Sequence, residues 1–421
     1  MKGQSNNMKL LAGACRANSY SHGVRQDHGT KSRTSKSNSL SVMHLWLSTT
    51  ALCLGGQMTG KLAYLSGSGQ ENQAAYVMDL ATRASIRVGP GSRDGAPRWS
   101  PDGVWLAFET KSDQLSGIYL VRADGTDGHV VSKRHPSARM PRWSPDGTRL
   151  VYEASVEATE RPVVVVLDIA SGIETVWGGE KSRLMRPVWL PGLSLMAALP
   201  VGTEFKWEGA NSEVLLNELR EGGLLAIGWT GTSAARSTEI FVVSKTQAAP
   251  LLPLVNKESA HYVEWAVESN PQGQALAFES NAAGNREIFL LSKAGMSDLT
   301  KDPAPDWNPV WSPDGNWLAF ESFRGGRRGL YRCLISSGRT SAVDADMLYD
   351  CWSPTWSPNG ESLAYVTTET GKPCLKLAAV TSESMQLLST GTTPAWAPAW
   401  APNGVASKNS PSQPMDKEDT K

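Results

Sequence analysis

Five cysteines in 421 residues, with no C-x-x-C pair, are too few and too scattered for a disulfide framework. No run of 18 apolar residues occurs, so no membrane-spanning helix is expected. Neither sign of charge is in excess, because Lys+Arg 41 balance Asp+Glu 41. Without a basic surplus to neutralise a phosphate backbone, a general nucleic-acid binder is excluded. Catalytic signatures are missing too: there is no G-x-S-x-G nucleophile elbow and no Gly-rich phosphate loop opening a helix. Histidine is scarce. Beyond residue 60 only His129, His135 and His261 occur, a poor supply for a metal cluster. No catalytic residue, metal site or cofactor is expected from these absences.

What the chain does have is 16 Trp, 39 Gly and 25 Pro beside a hydrophobic fraction of 40%. Many tight turns around large aromatic anchors are an all-β signature. The ends differ from the middle. In residues 1–42, Lys2, Lys9, Arg16, Arg25, Lys31, Arg33 and Lys36 oppose a single acid, Asp27, with little apolar surface to bury. The apolar run Leu40–Leu54 follows, in the layout of a secretory signal, though His44 interrupts it and no A-x-A site follows. A periplasmic or secreted protein is one reading of this leader; a polar extension of a cytoplasmic protein is the other. At the far end, residues 406–421 are polar and lack an apolar pattern. The boundaries are therefore set at 1–59 for the leader, 60–404 for the folded array and 405–421 for the tail.

The array is a repeat. Trp99-Ser-Pro-Asp-Gly103 recurs as Trp143-Ser-Pro-Asp-Gly147 and Trp311-Ser-Pro-Asp-Gly315, with near copies at Trp356 and Trp400. Weaker copies start at Trp189 and at Trp265, whose turn (Asn270-Pro-Gln-Gly273) arrives late, and the Trp spacings run 44, 46, 76, 46, 45 and 44. After each Gly comes a short apolar run, such as Trp105-Leu-Ala-Phe108 or Leu318-Ala-Phe320, then two further strand-like segments. Four short strands per repeat are too short and regular for helices. In the pentapeptide, Pro presets the first turn dihedral, Asp hydrogen-bonds its own backbone and Gly accepts a positive φ. The Trp fills the space between stacked sheets, burying on the order of 200 Å². Recurrence in every repeat marks Asp102, Asp146 and Asp314 as structural.

Units of this size arranged radially close into a propeller. The segment Asn308-Pro-Val-Trp311-Ser-Pro-Asp-Gly-Asn-Trp-Leu-Ala-Phe-Glu-Ser322-Phe-Arg324-Gly325 resembles the WSPDG repeats of the TolB-like family, also found in the propellers of prolyl oligopeptidases. The resemblance covers roughly residues 60–404. It implies an all-β β-propeller of four-stranded antiparallel blades, and the strands that follow the turns, starting near Leu62, Trp105, Leu150, Leu195, Leu276, Leu318 and Leu363, make it a seven-bladed β-propeller. Excluding the surplus of the long interval, that span divides by seven into about 45 residues per blade. The chain begins with strands but no Trp anchor (Lys61–Tyr64) and ends with an anchor but no strands (Trp400–Gly404), so strands from both termini should close one blade. The long interval offers Leu193–Leu199 and Leu224–Trp229 as alternative second strands around an excursion at about 200–222. A seven-blade ring with an excursion is expected, with a collapsed eighth blade as the alternative.

Function is expected in the loops that the repeat brings to one mouth of the central channel. They carry Arg139, Arg186, His261, Asp306, Trp307 and Trp352, a concentration of the residue types that dominate contact hot spots. The expected role is a non-catalytic scaffold that binds a protein or peptide there as a monomer. The family resemblance also implies an alternative, a channel-mouth hydrolase or lyase similar to the oligogalacturonide lyases. One departure from TolB is expected to matter. About 60 residues precede the ring, too few and too polar for the α/β domain that family places there.

Overall fold

The computed structural model describes residues 59–403 except 70–71, 157–160, 181, 192–202, 204–205, 207–209, 221–222, 231–236, 253–262, 382–383 and 389–392. All of the expected leader 1–59 except Thr59, and the whole of the expected tail 405–421, lie outside the described residues. Within them the chain forms seven four-stranded antiparallel sheets. Blade 2 runs Arg98–Trp99, Trp105–Lys111, Ser116–Arg122 and His129–Val130; blade 3 runs Arg139–Trp143, Arg149–Val156, Arg161–Asp168 and Glu174–Trp177. Blade 4 uses Leu184–Trp189, Leu224–Thr230, Ser237–Val243 and Ala248–Pro250, and blade 5 uses Glu264–Ser269, Ala275–Ser280, Glu287–Ser292 and Gly295–Asp298. Blade 6 comprises Asp306–Trp311, Trp317–Ser322, Gly329–Leu334 and Arg339–Asp344; blade 7 comprises Cys351–Trp356, Ser362–Thr367, Cys374–Ala379 and Met385–Leu387.

Blade 1 closes the ring. Its Lys61–Gly69, Asn72–Asp79 and Ser85–Arg87 come from the start of the array, and its inner strand Ala395–Trp400 comes from the end. Leu62 pairs with Trp400 and Ser66 with Ala395 across that join. The inner strands of all seven blades touch one another in cyclic order.

Adhesion between blades is apolar. A buried cluster fills each of the seven interfaces, the one between blades 1 and 7 formed by Leu62, Leu80 and Ala395 against Leu375 and Leu377. Losing one such Leu to Ala would cost about 2–5 kcal/mol. Cys333, Cys351 and Cys374 are free thiols buried in these layers. Polar bonds fix the register between blades. The anchor indoles of Trp99, Trp143, Trp311 and Trp356 donate to carbonyls of the preceding inner strand, at Ala399, Arg98, Glu268 and Val310 (2.9–3.2 Å).

The pentapeptide turns are built as their chemistry requires. Ser312 Oγ donates to Asp314 at 2.5 Å and accepts the Trp317 N–H at 2.9 Å, while Asp314 accepts the Asn316 N–H at 3.1 Å. Gly315 sits at φ +71°, where a Cβ would be strained. Asn359 takes the Asp role in blade 7, accepting from Ser357 at 2.7 Å.

Two sequence expectations shift. The second strand of blade 4 is Leu224–Thr230, and the alternative at Leu193–Leu199 lies outside the described residues. The excursion therefore connects the first and second strands of blade 4, and it carries a helix, Ser212–Arg220. Asn211 caps that helix by accepting the Glu213 N–H at 3.1 Å, and Leu215 anchors it in the core between blades 4 and 5. The second shift concerns Trp265, which is not an anchor. Ser269 pairs with Leu276 as Trp311 pairs with Leu318, so Ser269 holds the anchor position and Trp265 aligns with Trp307. The turn Asn270–Gly273 is in register after all.

Candidate binding site at the channel mouth

The inner strands have a shared irregularity. Met140, Arg186, Asn308, Ser353 and Ala397, each followed by proline, adopt φ between +49° and +55°. A non-glycine residue in this region costs of order 1–3 kcal/mol and needs support from its surroundings. At each one the pairing with the second strand slips by a bulge. The slip turns the residue before it outward to the mouth and aims the irregular residue's own N–H at the preceding blade.

A buried glutamate receives that N–H. Glu279 Oε1 accepts from Asn308 at 2.6 Å, Glu321 Oε1 from Ser353 at 2.9 Å, and Glu153 Oε2 from Arg186 at 3.3 Å. Glu109 holds the corresponding place toward Met140, and burial pushes its carboxyl up. All four occupy one register of the second strand, three residues after the Leu that faces the anchor. The apolar side chains in the same register of blades 1, 4 and 7 are Leu65, Ile227 and Val366.

Three of these carboxylates also hold an arginine. Arg139 binds Glu153 through Nε at 3.0 Å and Nη2 at 2.5 Å, Arg286 binds Glu279 through Nε at 2.9 Å, and Arg328 binds Glu321 through Nε at 2.6 Å. Two of the guanidinium groups lie over indoles. Arg286 sits 4.9 Å from the Trp265 ring centroid, and Arg328 sits between Trp307 (5.7 Å) and Trp352 (5.2 Å). Phe323 packs on Trp307 with centroids 5.1 Å apart and stays 45% exposed. Met347 and Leu348, on the loop leading into blade 7, are 71% and 83% exposed.

The expected residues are placed as follows. Trp307 and Trp352 stand in one register at the mouth, partly exposed, with Arg328 between them. Arg139 is at the same register in blade 3, its side chain 58% exposed. Arg186 reaches to the next blade, donating to the Trp265 carbonyl at 2.9 Å. Asp306 is fully buried beneath this layer and pairs with Arg324 at 2.5 Å; burial raises its carboxyl, and that of Glu287 beside it rises to about 7. His261 lies outside the described residues. Neither remaining histidine is in the mouth. His129 sits on the outer strand of blade 2, edge-on to Trp105, and His135 faces Glu174 at 3.7 Å. Among the described residues, no group of three or more His, Cys, Asp or Glu side chains is arranged to hold a metal ion.

Two members went unrecognised in the sequence. Trp265 and Trp396 share the register of Trp307 and Trp352, completing a row of four indoles over blades 5, 6, 7 and 1. The signal was a Trp four residues before the anchor position, visible in Trp307/Trp311, Trp352/Trp356 and Trp396/Trp400.

Seven four-stranded blades, a closing strand from the chain's end and an aromatic mouth define a seven-bladed β-propeller whose WSPDG repeats are similar to those of TolB-like propellers. Comparison with known proteins agrees: the TolB beta propeller domain family matches residues 255–407. A protein TolB homolog of Chlorobium luteolum is 37% identical over 73 residues, 17% of either chain. The Tol-Pal system protein TolB of Desulfosudis oleivorans is 33% identical over 66 residues, 15% of either chain. These alignments thus span about a sixth of the relatives' length. Among solved structures, TolB from Acinetobacter baumannii is similar at TM-score 0.50 and 18% identity, covering 83% of this chain and 68% of that one. The propeller domain of the Trilobed protease from Pyrococcus furiosus, described as having an open velcro topology, gives TM-score 0.56 at 13% identity over 80% and 97%. Oligogalacturonate lyase from Vibrio parahaemolyticus gives 0.51 at 13% over 76% and 86%. At these identities the structural likeness is one of fold.

Proposed function

We propose that this ring is a non-catalytic scaffold that binds a protein or peptide partner at its channel mouth. The observation that carries the reading is the Trp307–Arg328–Trp352 stack, braced from below by the buried Glu321. Aromatic and arginine side chains are the residue types that dominate binding energy. Here they are held before any partner arrives, so little side-chain freedom is lost on docking. The exposed Phe323, Met347 and Leu348 on the same rim add apolar surface around the stack. A partner suited to this face presents an extended segment with apolar and acidic side chains. Similarity to TolB-like propellers supports a protein partner and a periplasmic or secreted location for the chain. We take the leader and tail as extensions outside the ring, and the ring as acting singly.

The test uses peptides selected from a random library on the immobilised chain, then titrated against Trp307→Ala and Trp352→Ala. Loss of about 2 kcal/mol or more in either variant, with melting behaviour retained, supports the reading. Equal affinity for both variants moves the site away from this mouth, the excursion of blade 4 being the next place to look.

A further inference from the structure

One layer of the channel is charged. The residue preceding each anchor position faces the axis, and in blades 2, 3 and 5 these residues are Arg98, Arg142 and Glu268, the other four being uncharged. This belt is shared by two adjoining cavities. The mouth-side cavity, about 350 Å³, is also lined by Asn308 and Ser353, neighbours of Trp307 and Trp352. The other, about 410 Å³, opens past Pro101, Pro145 and Pro402 on the turn side. Arg142 donates to Glu268 at 2.9 Å, and both side chains remain about 30% exposed to the channel. Arg98 makes no hydrogen bond or ion pair through its side chain among the described residues, although Arg142 stands close enough to repel it. That repulsion, with burial, lowers the Arg98 guanidinium to about 9.

We propose that the belt is a carboxylate-binding site, with the anion seated between Arg98 and Arg142. Two guanidinium groups and one carboxylate leave a net charge of plus one, which a monoanion neutralises and a dianion overshoots. Planar guanidinium forks match a carboxylate bidentately. Low-dielectric walls strengthen the attraction, and an anion between the two cations removes their mutual repulsion. A cavity of about 350 Å³ admits an acidic side chain or a chain end, not a folded domain. The site stands independently of any partner on the Trp row above it, because it lies in a different layer and both of its arginines are on strands that carry none of the four row indoles.

The experiment is calorimetric titration of the full chain at low ionic strength with four probes: acetyl-tetraglycine as the free acid and as the amide, acetyl-Gly-Glu-Gly-amide, and inorganic phosphate. The free acid or the glutamyl peptide should bind at least tenfold more tightly than the neutral amide, and more tightly than phosphate. Which of the two binds better separates a chain end from an acidic side chain as the natural source. Arg98→Gln should weaken the acid tenfold or more, and Glu268→Gln, which removes the competing anion, should tighten it. The second variant keeps the test decisive should the first fail to fold. Equal binding of acid and amide, no binding of either acid, or no tightening in Glu268→Gln overturns the proposal. Phosphate binding more tightly than both acids overturns the carboxylate assignment. Neither Trp307→Ala nor Trp352→Ala should alter binding of these small probes.

Discussion

Replacing Glu321 with Ala tests whether the buried glutamates brace both the ring and its mouth. This fully buried carboxylate accepts the Ser353 N–H at 2.9 Å, the Asn308 side-chain amide at 2.7 Å and Arg328 Nε at 2.6 Å. Hydrogen bonds to a charged group contribute about 1.5–3 kcal/mol each, and breaking a buried ion pair by removing one partner costs about 3–5 kcal/mol. Arg328 remains 33% exposed, so water can take over part of its solvation and the ion-pair figure must be reduced. The Ser353 N–H belongs to a strained inner strand and has less recourse to water. The expected loss is about 3 kcal/mol, read as a lower urea midpoint at unchanged slope. Glu321→Gln keeps an acceptor for Ser353 but points an amide at Arg328, so its loss should be about 1–2 kcal/mol. With Arg328 released, the indole fluorescence of Trp307 and Trp352 should shift to the red in both variants. A loss below about 1 kcal/mol for the alanine variant, or a glutamine variant no better than alanine, would refute the bracing argument.

Other expectations follow from the same geometry. Glu153→Ala should cost less than Glu321→Ala by urea titration, because Arg139 is 58% exposed and the Arg186 N–H contact is long at 3.3 Å. In the turns, Asp314→Asn should change stability by about 1 kcal/mol or less, since Asn359 already serves that role, whereas Ser312→Ala should cost more by leaving the Trp317 N–H without its acceptor. Deleting residues 394–404 should lower the melting temperature far more than deleting 406–421, because only the former removes the inner strand of blade 1; equal melting temperatures would count against closure. Burial and the neighbouring Glu239 raise Glu264 to about 9, against an ordinary 4.5. The folded state then holds a proton that the unfolded state has released, so stability falls as pH rises from about 4.5 to about 9. Glu264→Gln should flatten the melting-temperature slope between pH 5 and 8; an unchanged slope would show that Glu264 titrates normally.

The fold was legible because a propeller writes its period into the sequence. Trp, Pro, Asp or Asn, and Gly recur at one place in most blades, so the pentapeptide fixes blade number and register wherever it survives. Blade 5 misled for the same reason. Its anchor position holds Ser269, and the nearby Trp265 drew the alignment four residues off, although the turn at Asn270–Gly273 kept its true place. In blade 4 the second strand sits after an insertion, and two apolar runs of similar length competed for it. The mouth was legible in outline only. Arg and Trp on converging loops could be read from the period, but the burial of Asp306 could not. Nor could the latch from Glu321 to Ser353, since it depends on a bulge that no local sequence pattern announces beyond a residue before proline.

That bulge links architecture to site. A regular inner strand would keep its N–H groups within its own blade and leave Glu279 and Glu321 nothing to accept from the next one. The slip before proline frees one N–H in each of five blades, and the glutamate that takes it from Asn308 or Ser353 has a second oxygen to spare. Arg286 and Arg328 occupy that oxygen, and their guanidinium planes then lie against Trp265, Trp307 and Trp352. The same carboxylate therefore ties two blades together and sets the pose of the aromatic row above them. On blade 7 the register holds Val366, which offers no such oxygen, and Trp396 beyond it is oriented differently, through its indole N–H to Gln73 at 3.0 Å. Three indoles of the row thus stack with arginine and the fourth is steered by a neutral amide, which makes blades 5 to 7 the arc of the mouth where arginine pins the indoles and the place where a partner's anchor residue should seat.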